Sequence, residues 1–166
     1  MKSKWMVAPI VGAVALAVYT GTTLATPPSG LTSTMLAKSV FDELKLNSHT
    51  VPASQWHLNL TTEGMSDGYV VDNKLAAGGT TGWHSHPGPS LIFVVAGSVT
   101  NYESDEPGCG GETYHAGDGF VDEGGDHVHM LHSDGGGETI AVQLVPKGSP
   151  SRRIDAPTVP PGCPAS

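Results

Sequence analysis

Four glycine clusters, EPGCGG, GDG, EGGD and DGGG, punctuate the second half of the chain. They restrict what it can fold into. Every segment between them is shorter than the ~11 residues of an average helix. Glycine-rich clusters of this kind are turn punctuation. The stretches they bound have strand character. QWHLNLT alternates, with Trp56, Leu58 and Leu60 on one side and His57 and Asn59 on the other. GYVVDNKLAA, GFVDE, HVHML and ETIAVQLVP read as further strands, the last with Ile140, Val142 and Leu144 in period two. LIFVVAGSVTNYE reads as a buried strand, a turn near Gly97 and a returning strand. Only STMLAKSVFDELKL carries apolar residues at helical spacing, through Leu36, Val40 and Leu44, and the sequence leaves its state open. Many short strands between glycine-rich turns predict an all-β sandwich or barrel.

Four of the eight histidines form two His-x-His pairs, His84/His86 and His127/His129. On a strand, residues i and i+2 share a face, so each pair can present two imidazoles side by side. Neutral imidazole binds Zn, Cu, Fe and Ni. Buried rings without a partner would bear a desolvation cost. A strand bulge among the glycines would change which ring of the second pair points inward. His49, His57, His115 and His132 read as isolated surface or loop residues. Asp118, Asp122, Glu123 and Asp126 read as solvated turn residues, with Glu123 the one carboxylate near the second pair that is placed to reach the site. Trp56 and Trp83 read as core. No G-x-S-x-G elbow, P-loop or dinucleotide fingerprint is present.

The stretch GGTTGWHSHPGPSLIFVVAG is similar to the first motif of the cupin family: a glycine, His-x-His, a glutamate and a closing glycine. Gly78, His84, His86 and Gly97 match in spacing, and Ser90 stands at the glutamate position. The second motif is matched loosely. Gly117 fits its start, Glu123 stands where proline is expected, Gly125 fits the turn glycine, and His129 fits the histidine with one extra residue. Ser133 falls at the asparagine position. The resemblance implies a single antiparallel jelly-roll β-barrel of six to eight strands with a metal inside. It implies His84, His86 and His129 as ligands of a divalent transition metal; Zn, Mn, Fe, Ni and Cu are not distinguished. His127 is a candidate fourth ligand in place of the missing carboxylate. Phe93, just beyond the glutamate position, is placed to line the pocket. Dioxygenase, isomerase and decarboxylase activities all occur in that family, so the resemblance chooses no reaction and no catalytic residue.

The remaining features concern location and partners. Lys2 and Lys4 precede an apolar stretch and then small residues, the pattern of a secretory signal peptide over 1–25, cleaved after Ala25. An uncleaved anchor is the alternative. Loss of Lys2 and Lys4 takes the formal charge of −8 to −10. Such a surface repels phosphate backbones, which argues against a nucleic-acid partner. Cys109 and Cys163 are expected to pair, as cysteines outside the cell usually do, with free thiols as the alternative. The expected organisation is then an N-terminal extension over 26–64, a cupin barrel over 65–146, and a Pro-rich tail over 147–166 stapled by the disulfide. The function expected is a secreted metal-binding protein with a small-molecule pocket in its barrel. It is either a metal-dependent enzyme of oxygenase or isomerase type or a non-catalytic ligand- or metal-binding module. No stable membrane insertion is expected after cleavage, and a homodimer is compatible with the sequence.

Overall fold

A computed structural model describes residues 27–49 and 56–165. The expected signal peptide and its cleavage point lie outside the described residues. No helix occurs among the described residues, and so none is long and apolar enough to cross a membrane.

Eleven strands follow in chain order: β1 (Ser29–Phe41), β2 (Lys45–His49), β3 (His57–Thr61), β4 (Ser66–Thr80), β5 (His84–Ser85), β6 (Ser90–Glu103), β7 (Gly111–His115), β8 (Gly119–Asp122), β9 (His129–Ser133), β10 (Gly137–Pro146) and β11 (Ile154–Asp155). Strands β2 and β3 form a hairpin sheet of their own; the other nine make one antiparallel sheet. Its order is β1-β4-β10-β6-β9-β5-β11, and β4 also pairs with β9. The path β4-β10-β6-β9 therefore returns to β4, and the sheet closes into a barrel. Closure removes the open edges that an antiparallel sheet would otherwise expose.

The two longest strands make this closure work. β6 pairs with β10 and β8 along its first half and with β7 and β9 along its second. The expected turn near Gly97 is therefore absent. Gly97 lies inside one continuous strand at φ 64°, next to a register shift against β10. A side chain there would run into the Gly136 carbonyl. Glycine at this point lets β6 bend from one side of the barrel to the other without breaking. The open segment STMLAKSVF resolves as strand β1, paired with β4 from Phe41↔Ser66 to Ser29↔Thr80.

The interior is filled by alternating residues of the long strands. Leu75, Val94, Val99 and Leu131 form one cluster, and Val71, Ile92 and Ala141 a second. A third, Trp83, Cys109 and Met130, is capped by Ala156, Val159 and Cys163 of the Pro-rich segment. Trp83 is thus core, as expected, whereas Trp56 is exposed. On β6 the inward residues are Ser90, Ile92 and Val94, and Leu91, Phe93 and Val95 face out. Phe93, 49% exposed, does not line the interior, because period two puts it on the opposite face from Ser90. An apolar hollow of about 530 Å³ lies on this outer side, between the β2–β3 hairpin and the sheet, lined by Leu58, Leu60, Leu91 and Val142 among others.

The Pro-rich segment is fixed to the barrel at several points. Cys109 and Cys163 form a disulfide with Cα atoms 5.2 Å apart. β11 pairs with β5 through Ile154↔Ser85 and Asp155↔His84. The Ala156 amide donates to the Trp83 carbonyl at 3.0 Å, and the Trp83 indole N–H donates to the Pro164 carbonyl at 2.8 Å.

Candidate metal centre

Local sequence sets where His84 points. The Thr81 amide donates to the Leu131 carbonyl at 2.8 Å, and the Leu131 amide donates to Thr81 Oγ1 at 2.8 Å. This clamp fastens TTGW to β9 and leaves His84 directly opposite His129 across the β5–β9 pair. His86 follows two residues later on the same face. Next, Pro87-Gly88-Pro89 turns the chain back into β6. Gly88 packs against the Leu144 carbonyl and Gly124 against Gly88, so neither position has room for a Cβ. The Gly125 amide donates to the His86 carbonyl at 2.7 Å. These close backbone approaches draw the β8–β9 turn over the site.

The three rings meet inside the barrel. Their centroids lie 4.4 Å (His84–His129), 4.8 Å (His84–His86) and 5.5 Å (His86–His129) apart. One ring nitrogen from each falls within 4.8 Å of the others, and all three residues are at most 5% exposed. Each Nδ1 has an oxygen partner. His84 Nδ1–H donates to the Gly82 carbonyl at 2.8 Å, His86 Nδ1–H to the Arg152 carbonyl at 2.6 Å, and His129 Nδ1–H to Asn101 Oδ1 at 3.2 Å. Carbonyl oxygens only accept, so on His84 and His129 the proton sits on Nδ1 and Nε2 carries the lone pair; His86 Nδ1 also lies 3.1 Å from the Gln143 amide nitrogen, and the shorter Arg152 contact favours the same tautomer there. His129 Nε2 is buried with no hydrogen-bond partner.

Burial keeps these rings neutral. Desolvation pushes His84 well below 6.5, helped by the neighbouring His129 ring and the Arg153 guanidinium. His86 is lowered by desolvation, against the Arg152 carbonyl and the Asp122 carboxylate, which oppose the shift. His129 falls to about 4, again through desolvation, with Asp122 opposing. Neutral imidazole is the form that binds a metal. Three buried ring nitrogens within 4.8 Å of one another, each ring oriented by an outer acceptor, form the donor set such an ion needs. The residues present therefore fit a divalent transition metal.

His127 does not join the cluster. It lies in the loop before β9. Its ring is half-buried at the surface between Asp105 Oδ2 (2.9 Å to Nδ1) and Glu123 Oε2 (3.2 Å to Nε2). Glu123, with its side chain 75% exposed, does not reach the site either. Asp122, its neighbour, is the carboxylate that turns inward. It ends β8 directly across from Ser90, is 3% exposed, and is not the solvated turn residue expected. His132, as expected, stands apart from the cluster, its Nε2 3.0 Å from Asp134 Oδ1.

A cavity of about 220 Å³ opens beside the three rings. Ile92, Leu131 and Ala141 give it apolar walls, and Thr139, Gln143, Arg152 and Arg153 give it polar ones. Arg152 Nη1 donates to Gln143 Oε1 at 3.1 Å, and Arg153 Nη2 donates to the Thr81 carbonyl at 2.7 Å. Neither arginine was singled out by sequence reasoning, which treated 147–166 as a tail. Asn101 and Gln143 were missed as well; each carries no signal beyond an inward place on a strand.

No family model matches the sequence, and no curated protein matches it. Solved structures do. One is a cupin superfamily protein from Desulfitobacterium hafniense, at 13% identity over 70% of this chain and 78% of that one, with a TM-score of 0.48. Another is KdgF from a Halomonas species, at 18% identity over 71% and 82%, with a TM-score of 0.45. A third is a cupin-like protein from Thermotoga maritima, at 22% identity over 55% and 66%, with a TM-score of 0.45. The chain is similar to these in fold.

Proposed function

We propose that the protein binds a divalent transition metal through His84, His86 and His129 and holds a small anionic ligand in the adjoining cavity, outside the cytoplasm. The observation that carries this reading is the arrangement of the three rings. One ring nitrogen from each lies within 4.8 Å of the others, and each Nδ1 lies against an oxygen acceptor. Such an ion would supply Lewis acidity towards an oxygen donor on the ligand. The chain's own residues do the rest. Arg152 offers its guanidinium to a carboxylate or similar anion, which arginine recognises through paired N–H donors; Arg153, whose Nε is paired with Asp155 at 2.7 Å, adds positive charge to the same wall. Ile92, Leu131 and Ala141 exclude water around it. Location outside the cytoplasm is supported by the Cys109–Cys163 disulfide and by the signal-like N-terminal sequence.

A second reading, a ligand-binding module without turnover, is favoured by the cavity lining. Apart from the three histidines, its polar residues are Asn73, Ser33, two threonines, Gln143 and two arginines; among the described residues no carboxylate or lysine lines it to move a proton.

Elemental analysis and zinc titration of the purified protein test the metal claim. Stoichiometric metal is expected in wild type and in His127→Ala, and none in His84→Ala plus His86→Ala. Equal metal content in wild type and the double variant would sink the claim. Turnover of a panel of small carboxylates by metal-loaded protein separates the enzyme from the module.

A further inference from the structure

The missing carboxylate at position 90 has a counterpart one strand away. Ser90 on β6 pairs directly with Asp122 on β8 and with Gln143 on β10, so three inward side chains form one rung across the barrel wall. Gln143 Nε2 donates to Ser90 Oγ at 3.2 Å, and Ser90 Oγ donates to Asp122 Oδ2 at 3.2 Å. Asp122 Oδ1 accepts from the Gly124 amide at 3.0 Å. That leaves Oδ2 facing the histidines, 3.7 Å from His86 Nε2 and 3.8 Å from His129 Nε2. Two ligand atoms about 2.1 Å from one ion, at a tetrahedral angle, lie about 3.4 Å apart. The separations from His86 and His129 are within a few tenths of an ångström of such an edge, while Asp122 lies outside the tighter group the three rings form with one another, so it closes on an ion from that side.

We propose that Asp122 is the fourth ligand of the metal site, with Ser90 as its positioning residue: the carboxylate reaches the ion from β8 instead of from β6. The inference rests on the metal site proposed above. Burial supports it. Asp122 is almost wholly enclosed, and the basic groups nearest it among the described residues are the His86 and His129 rings, which burial holds neutral, so no cation offsets its charge. A buried carboxylate is costly unless it meets a cation or a metal. The rung also accounts for the serine. Serine at position 90 is fully buried and donates its hydroxyl to Asp122 Oδ2. Coordination by Asp122 leaves the site with a net charge of +1 where three imidazoles alone would leave +2.

The test uses the full chain with its disulfide intact and Zn(II) or Co(II) as the probe. Asp122→Asn keeps the shape and removes the charge. It is expected to weaken Zn(II) by about 100-fold or more in a chelator competition, the upper end of what outer partners alone supply, and to change the visible spectrum of the Co(II) form. Ser90→Glu with Asp122→Ala returns a carboxylate from the opposite strand and is expected to recover most of the loss. A folded Asp122→Asn with wild-type affinity and an unchanged Co(II) spectrum overturns the inference and leaves the three-histidine site standing. Wild type that binds no stoichiometric zinc overturns the site itself, and Asp122 with it. Should Asp122→Asn fail to fold, a crystal structure of the zinc-loaded wild type decides. An Asp122 oxygen within about 2.2 Å of the ion supports the inference, and one beyond coordination distance overturns it.

Discussion

The disulfide is expected to hold up both the fold and the metal site, and its removal tests both at once. Cys109 and Cys163 are 54 residues apart in sequence. In the chain-entropy model, a loop of that length contributes about 4 kcal/mol by restricting the unfolded state. A domain of this size is stable by about 5–15 kcal/mol, so the double variant Cys109→Ala, Cys163→Ala should lose a quarter or more of the total. That corresponds to a fall of roughly 10 °C or more in Tm. The full value is expected because the segment unfolds with the barrel. Trp83 is buried beneath it, bonded to Pro164, and β11 extends the sheet beside His84. Urea unfolding of metal-free protein at pH 7, followed by tryptophan fluorescence, measures the loss. Zinc affinity should fall with it, since the Arg152 carbonyl that orients His86 lies on the same segment; loss of such an outer partner is worth about 10–100-fold. A loss below about 1 kcal/mol, within reach of ordinary single substitutions, with unchanged zinc affinity would refute the view that the segment is part of the cooperative unit.

Three further outcomes are expected. Asn101→Ala removes the acceptor of His129 Nδ1 and should weaken zinc binding by about 10–100-fold, read by chelator competition. Arg152→Ala keeps the main-chain carbonyl, so zinc affinity should hold; affinity for a small carboxylate, measured by calorimetry, should fall by about 10–100-fold, the value of a charge-assisted hydrogen bond. Metal-free protein should lose stability as the pH falls below 6.5. His84, His86 and His129 are all depressed in the folded state, His129 to about 4, so the unfolded chain takes up protons that the folded chain refuses. The loss accumulates from about pH 6.5 down to about 4, and denaturant midpoints that stay flat across that window would contradict it.

Much of this architecture could be read before any coordinates. Glycine clusters bounded the strands, and the His-x-His spacing located two of the three imidazoles. His129 required the family pattern, because the strand rule alone weighs it equally with His127. That rule failed at His127 for a local reason: in the loop before β9 its ring is held at the surface between Asp105 and Glu123. Asp122 was obscured by its company. In GFVDEGGD an acid among glycines looks like a solvated turn, and only the register opposite Ser90 turns it inward. Asn101 and Gln143 are comparable, since side chains from three strands meet along rungs that no one-dimensional spacing records. β1 carried almost no alternation because nearly all of it is exposed. The role of 147–165 was hidden more deeply still. Its contribution to His86 is a backbone carbonyl, which every residue possesses.

That carbonyl has a consequence for timing. Arg152 lies 66 residues beyond His86 in the chain, so a ribosome delivers both His-x-His pairs well before the group that aims one of their rings. The strap that carries it is then fastened by an oxidation that cannot occur until Cys163 has been made. A partly synthesised or still-reduced chain thus holds its imidazoles without the brace that makes them a matched set. Metal capture at the proposed site is then expected to be a late event in the protein's life, sequenced behind completion and oxidation.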